Sequence, residues 1–259
     1  MRHILASGAL VAALFAPRFA AALAIDQIDT FEDGTTQGWV VALLGSPHPA
    51  PPANVATGGP AGDGDAFLLL TAVGGVGAGN RLTVINPAQW AGDYPASGIT
   101  QIEMDVRNFS ETDLALRLLF EDPVTGVPSN QAFSTDAIAV PAGGGWVHIA
   151  FPITPAALSA ALGNVDAALS GATEIRIYHS TAADYPGESI AAQLGVDNIR
   201  AAPEPGGAAL AAFAVAALAA VRLGGAGQLA HQRRLEQLQF FARQRRLAAL
   251  QHARRGEPR

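Results

Sequence analysis

Ile102, Met104 and Val106 alternate with Glu103, Asp105 and Arg107, and Leu114, Leu116, Leu118 and Phe120 repeat the same period of two shortly afterwards. Successive side chains of a strand point to opposite faces, so this spacing predicts strands with one face in a core and the other in water. Val147, Ile149 and Phe151 share a face in the same way, and Glu174 to His179 and Leu194 to Arg200 read as the last two strands. Ile25 to Glu32, Trp39 to Leu44, Ala66 to Ala72, Arg81 to Ile85 and Ala132 to Val140 supply further extended pieces. Glycine and proline turns separate them, and Gly45 to Gly64 lacks apolar periodicity and reads as a loop. Thr154-Pro155 predicts a helix start, with threonine as N-cap and proline at the first helical position, running to about Gly163. The expected fold is all-β, a jelly-roll β-sandwich with one short helix.

The two ends of the chain are of a different character. Met1-Arg2-His3, the apolar run Ile4 to Phe15 and the small residues of Ala22-Leu23-Ala24 form a secretory signal peptide, residues 1–24. Cleavage is expected after Ala24, and the same pattern permits it after Ala20 or Ala22. At the other end, Pro203-Glu204-Pro205 cannot continue a helix or a central strand, because proline lacks an amide donor and biases its predecessor to extended backbone. Seventeen uncharged residues then separate Glu204 from Arg222. That is the lower edge of the roughly 17–25 needed to span a bilayer, and a buried alanine-rich helix is the alternative reading. Residues 203–222 resemble the PEP-CTERM sorting signal of Gram-negative bacteria: Pro-Glu-Pro, a short hydrophobic helix, then arginine. The resemblance implies an exosortase partner, transient residence in the inner membrane and delivery to the cell surface or extracellular matrix. Beyond it, residues 223–259 place Leu235, Leu238, Phe241, Leu247 and Leu250 among arginines, as a basic amphipathic helix or a solvated tail.

The exported portion, residues 25–202, is long enough for one sizeable core and contains no cysteine to cross-link it. From Ile25 to Pro203 there are 19 Asp or Glu against five Arg and no Lys, a balance of −14. Such a domain is unsuited to nucleic acid or anionic lipid, which need a cationic face. Neutral glycans, cations and proteins remain as partners.

Asp29-Thr30-Phe31-Glu32-Asp33-Gly34-Thr35 with Gly38-Trp39, and Gly195-Val196-Asp197-Asn198-Ile199, resemble the first and last strands of galactose-binding-like β-sandwiches. Carbohydrate-binding modules and laminin-B-like domains are among these. The resemblance implies a structural calcium ion shared by the terminal strands, with Glu32 and Asp197 as carboxylate ligands and Asp65 as a weaker candidate. It also implies aromatic sugar contacts. Trp90, Tyr94 and Tyr185 sit in Gly/Pro loops, where ligand contacts concentrate, whereas Trp39 and Trp146 lie within strand patterns and read as core.

A secreted carbohydrate-active enzyme would use Glu103 and Asp105, paired carboxylates on one strand face. Their alternation with core residues, continued by Arg107, is that of a solvated strand face. His48, His148 and His179 show no metal-ligand spacing, and no nucleophile elbow or phosphate loop accompanies them. The expected function is therefore a non-catalytic, glycan-contacting protein of the surface or exopolysaccharide matrix, processed by signal peptidase and exosortase. The alternatives are that enzyme or a purely structural matrix protein.

Overall fold

The computed structural model describes residues 23–41, 48–123 and 127–203. The apolar core of the signal peptide, Glu204 and Pro205 of the sorting motif, the hydrophobic run after them and the basic tail lie outside the described residues. Among those described, no helix is long and apolar enough to cross a membrane.

Among the described residues, twelve strands build two antiparallel sheets: β1 (Ile28–Asp29), β2 (Ala53–Val55), β3 (Phe67–Val73), β4 (Thr83–Asn86), β5 (Gln101–Asn108), β6 (Leu114–Pro123), β7 (Pro128–Ser134), β8 (Ile138–Val140), β9 (Val147–Pro152), β10 (Leu158–Leu162), β11 (Glu174–His179) and β12 (Ala191–Ala202). The first sheet runs β2-β3-β12-β5-β9, with β1 also on β12; the second runs β10-β7-β6-β11-β4, with β8 also on β6. In the first, Val196 pairs with Leu68 on one side and Val106 on the other. All three side chains are fully buried. A slip of one residue would turn each of them to water, which is how the alternation sets the register. The inward rows Ile102, Met104, Val106 and Leu114, Leu116, Leu118, Phe120 belong to the same buried cluster, so the alternating segments supply facing halves of one core.

Tertiary pairing overrules the local signal at three places. Pro155–Ala157 forms only a 3₁₀ turn, and the Thr154 side chain makes no capping bond. Leu158–Leu162, expected as helix, is the edge strand β10, because its backbone groups find partners on β7, Leu158 opposite Ser134 and Ser159 opposite Phe133. The α-helix follows instead at Val165–Ser170 (α1), where the Asn164 side chain accepts the Ala167 amide at 2.8 Å. The expected loop 45–64 contains β2, whose Val55 pairs with Phe67. The stretch Ala132 to Val140 divides into β7 and β8, which pair with different parts of β6.

The first and last strands meet, β1 on β12. Ile28 and Asp29 pair with Arg200 and Ile199 of β12. Inside, Asp29 is 2 % exposed, and its Oδ2 accepts the indole N–H groups of Trp39 and Trp90, each at 2.7 Å. The Gln89 side-chain amide donates to Oδ1 at 2.5 Å. Burial pushes this carboxyl above its ordinary range while the three donors pull the other way. Asp29→Ala leaves two buried indole donors without an acceptor and should cost about 3 kcal/mol, read as a lower denaturation midpoint. Asp29→Asn keeps an acceptor oxygen and should cost less.

Candidate functional site

On the first sheet, acidic residues gather around Asp197 in the middle of β12. Its side chain is almost fully enclosed, and Asp105 stands directly opposite it on β5. Like charges facing each other across a ladder repel; the Asn198 side-chain amide spans them, donating to Asp105 Oδ2 at 2.9 Å and Asp197 Oδ2 at 3.3 Å. Asn198 reaches this position with φ of 51°, in the register shift between Asp197 and Arg200. Glu32 is exposed and accepts the Ala66 amide at 2.9 Å; the neighbouring Asp65 is half-buried and accepts the Ala61 amide at 2.6 Å. The three residues expected as calcium ligands thus occupy one neighbourhood, and burial, with Asp65, Asp105 and Glu32 nearby, pushes the Asp197 carboxyl up to about 7. Among the described residues, no three acidic or histidine side chains converge into a ready coordination set.

Glu103 and Asp105 do share the outward face of β5, but each is engaged. Glu103 accepts from Gln101 at 3.2 Å and lies 3.8 Å from Arg200, and Asp105 contacts His148 Nδ1 at 3.0 Å. Farther along this face, Phe67, Phe109 and Trp146 form a cluster, with Phe67 stacked on Phe109 at 5.8 Å and edge-on to Trp146 at 5.2 Å. Trp146 therefore lies outside the main core, held by its indole N–H on the Gly58 carbonyl at 2.9 Å. Gly195 makes room for it: a Cβ there would stand 2.7 Å from the Trp146 ring. A glycine at an outward strand position was the sequence signal for this close approach.

Two of the three expected sugar contacts are corrected. Trp90 and Tyr94 are both 0 % exposed. The Trp90 indole is bound to Asp29, and the Tyr94 hydroxyl donates to the Trp90 carbonyl at 2.8 Å, so neither ring has a free face for a ligand. Core packing claimed them despite their loop setting.

Tyr185 differs. It lies half-buried over the outward face of the second sheet, where Leu119, Phe133 and Tyr178 form a small apolar cluster. Its ring meets Tyr178 edge-on at 5.6 Å, and the Arg176 guanidinium stands 5.1 Å from its centre. Cross-strand register brings Arg176 beside Leu119 and Ile85, and Glu174 beside Glu121. Arg176 then contacts both carboxylates, Glu174 at 2.7 Å and Glu121 at 3.1 Å, and Glu121 also accepts from Gln131 at 2.9 Å. Burial pushes the Glu174 carboxyl up against the opposing pull of Arg176. Two buried polar atoms here have no hydrogen-bond partner, Arg176 Nε and Thr83 Oγ1. Thr83 pairs with Tyr178 across the ladder. Arg176, Glu121 and Glu174 were not singled out from sequence, because a charged residue on an outward strand position looks the same whether solvated or organised.

The Tyr185 loop is itself fixed. His179, at the end of β11, accepts the Ala115 amide on Nδ1 at 2.9 Å and places Nε2 3.1 Å from Glu188, the neutral tautomer bridging sheet and loop. Burial holds its pKa below the ordinary value, outweighing Glu188. Arg81 adds a 2.7 Å bond to the Gly187 carbonyl.

No family model matches the chain, and no curated protein does. Solved structures of similar architecture include the family 11 carbohydrate-binding module of Clostridium thermocellum in complex with a β-1,3-1,4-mixed-linked tetrasaccharide, at 12% identity over 71% of this chain and 98% of that one, TM-score 0.44. The tandem CBM22-1–CBM22-2 domain of Paenibacillus barcinonensis Xyn10C matches at 16% identity over 72% of this chain and 49% of that one, TM-score 0.40. An exo-β-agarase matches at 12% identity, TM-score 0.45, over 72% of this chain but only 25% of its own length.

The Asp197 environment yields a pH dependence. Its carboxyl holds a proton to about pH 7 in the folded chain and to about pH 4 when unfolded. The folded state therefore binds more protons between those values, and stability from this group falls as pH rises from about 4 to 7 and then levels. The wild-type melting temperature minus that of Asp197→Asn, measured across this range without divalent ions, should decline in step with pH; a flat difference would contradict the assignment.

Proposed function

We propose that the chain is an exported, non-catalytic protein of the cell surface or exopolysaccharide matrix that contacts a glycan through the outward face of its second sheet. The observation carrying this reading is the half-buried Tyr185 ring beside the Arg176 guanidinium, which Glu121 and Glu174 share on the same face. A pyranose presents C–H-rich faces that pack on an aromatic ring, and hydroxyls that satisfy nearby polar groups. Glu121, Glu174 and Gln131 extend the polar set across the same face. The −14 balance favours neutral polysaccharide over a polyanion. On a neutral-glycan array, the protein should retain a subset of ligands, and Tyr185→Ala should weaken them about tenfold, the loss of roughly 1.4 kcal/mol. Binding unchanged in Tyr185→Ala and in Arg176→Ala would remove this face from the reading.

Sorting belongs to the same proposal. β12 ends at Ala202, and Pro203 is exposed immediately after it. The last described strand thus ends where Pro203-Glu204-Pro205 begins, the motif that an exosortase would recognise. Protein released from the surface of a host with that machinery should have a C-terminus close to Pro205 by intact mass; an unprocessed C-terminus would contradict it.

A calcium ion at Glu32, Asp65 and Asp197 is the second reading, favoured by the enclosed Asp197 carboxylate with three acidic neighbours. Calcium takes six to eight oxygens, including backbone carbonyls, so the site would need main-chain ligands beside these carboxylates. In the Asp197→Asn comparison, added calcium should raise the wild-type melting temperature at pH 8 more than magnesium does, and leave the variant unmoved.

A further inference from the structure

We infer that signal peptidase cuts between Ala22 and Leu23, so that the mature chain begins with Leu23. This rests on the reading of residues 1–24 as an export signal. The peptidase asks for small residues three and one positions before the cut. Ala20 and Ala22 satisfy that for the earlier cut, and Ala22 and Ala24 for the later one, whereas a cut after Ala20 would put Arg18 three positions before it.

The fold separates the two. Leu23 is 6 % exposed and belongs to the main buried cluster. It sits where residue 92 has no side chain: a Cβ on Gly92 would stand 2.8 Å from the Leu23 Cβ and 3.3 Å from one of its methyl groups. The Leu23 carbonyl accepts the Ser97 hydroxyl at 3.1 Å, and the Ala24 carbonyl accepts the Gln27 amide at 3.2 Å. That turn delivers the Asp26 amide to the Ala201 carbonyl at 2.8 Å, the first bond to β12. A cut after Ala24 would empty the seat at Gly92 and strip acceptors from Ser97 and Gln27. Deleting buried apolar atoms costs both their transfer free energy and the cavity left behind. The peptidase meets the chain unfolded, and the earlier of the two acceptable sites is the one whose product keeps Leu23 and Ala24, both of which the fold uses.

The test expresses the full chain with export in a Gram-negative host and reads the N-terminus of the exported form by mass spectrometry. A start at Leu23 is expected. A start at Ile25 overturns the inference and leaves export standing; an uncleaved N-terminus overturns both. Ala20→Glu spoils only the earlier cut, and should shift the product to Ile25 and lower its melting temperature by several degrees. Equal melting of the two products would show that Leu23 contributes nothing and would overturn the physical argument.

Discussion

The buried Asp29 carboxylate, held by two indole N–H groups, joins the parts on which the sandwich depends. A carboxylate taken from water is costly unless hydrogen bonds replace its hydration. Here Trp39, Trp90 and Gln89 supply them. The arrangement fixes β1 beside β12 and packs the two tryptophans, their centroids 6.3 Å apart, beneath the chain's N-terminal entry. Because β12 also lies between β3 and β5, the same tie joins the first strand to the last and to the middle of the sheet. In a chain without cysteine, polar groups and packing take the part that cross-links play in many exported domains.

The two outward faces are organised differently. On the first sheet, among the described residues, Asp197 has acidic neighbours and no ion-pair partner, and the Asn198 amide bridges it to Asp105. On the second, Arg176 is shared by Glu121 and Glu174 beneath Tyr185. Pairing neutralises part of that charge while leaving donors and an aromatic ring together. The first face thus concentrates negative charge, and the second sets paired charges beside an aromatic ring.

Alternation alone determined the strands around Met104 and Leu116, their inward faces and the all-β class, because a period of two admits one assignment to core and water. It also marked Trp39 as core, whereas Glu32, Asp65 and Asp197 were named only through the resemblance of the two terminal segments to galactose-binding-like sandwiches. Only the tertiary structure decided that Leu158–Leu162 is a strand, since its hydrogen-bond partners lie on β7, far away in sequence. Likewise, loop composition could not reveal that Trp90 and Tyr94 fill the interior while Tyr185 remains half-open. Exposure depends on what packs above a residue, and Arg176 joins the candidate site only because the register sets Glu174 opposite Glu121 and brings Tyr185 beside its guanidinium. Local periodicity carries information about which face meets the core; which residues meet one another across strands is set by pairing at long range.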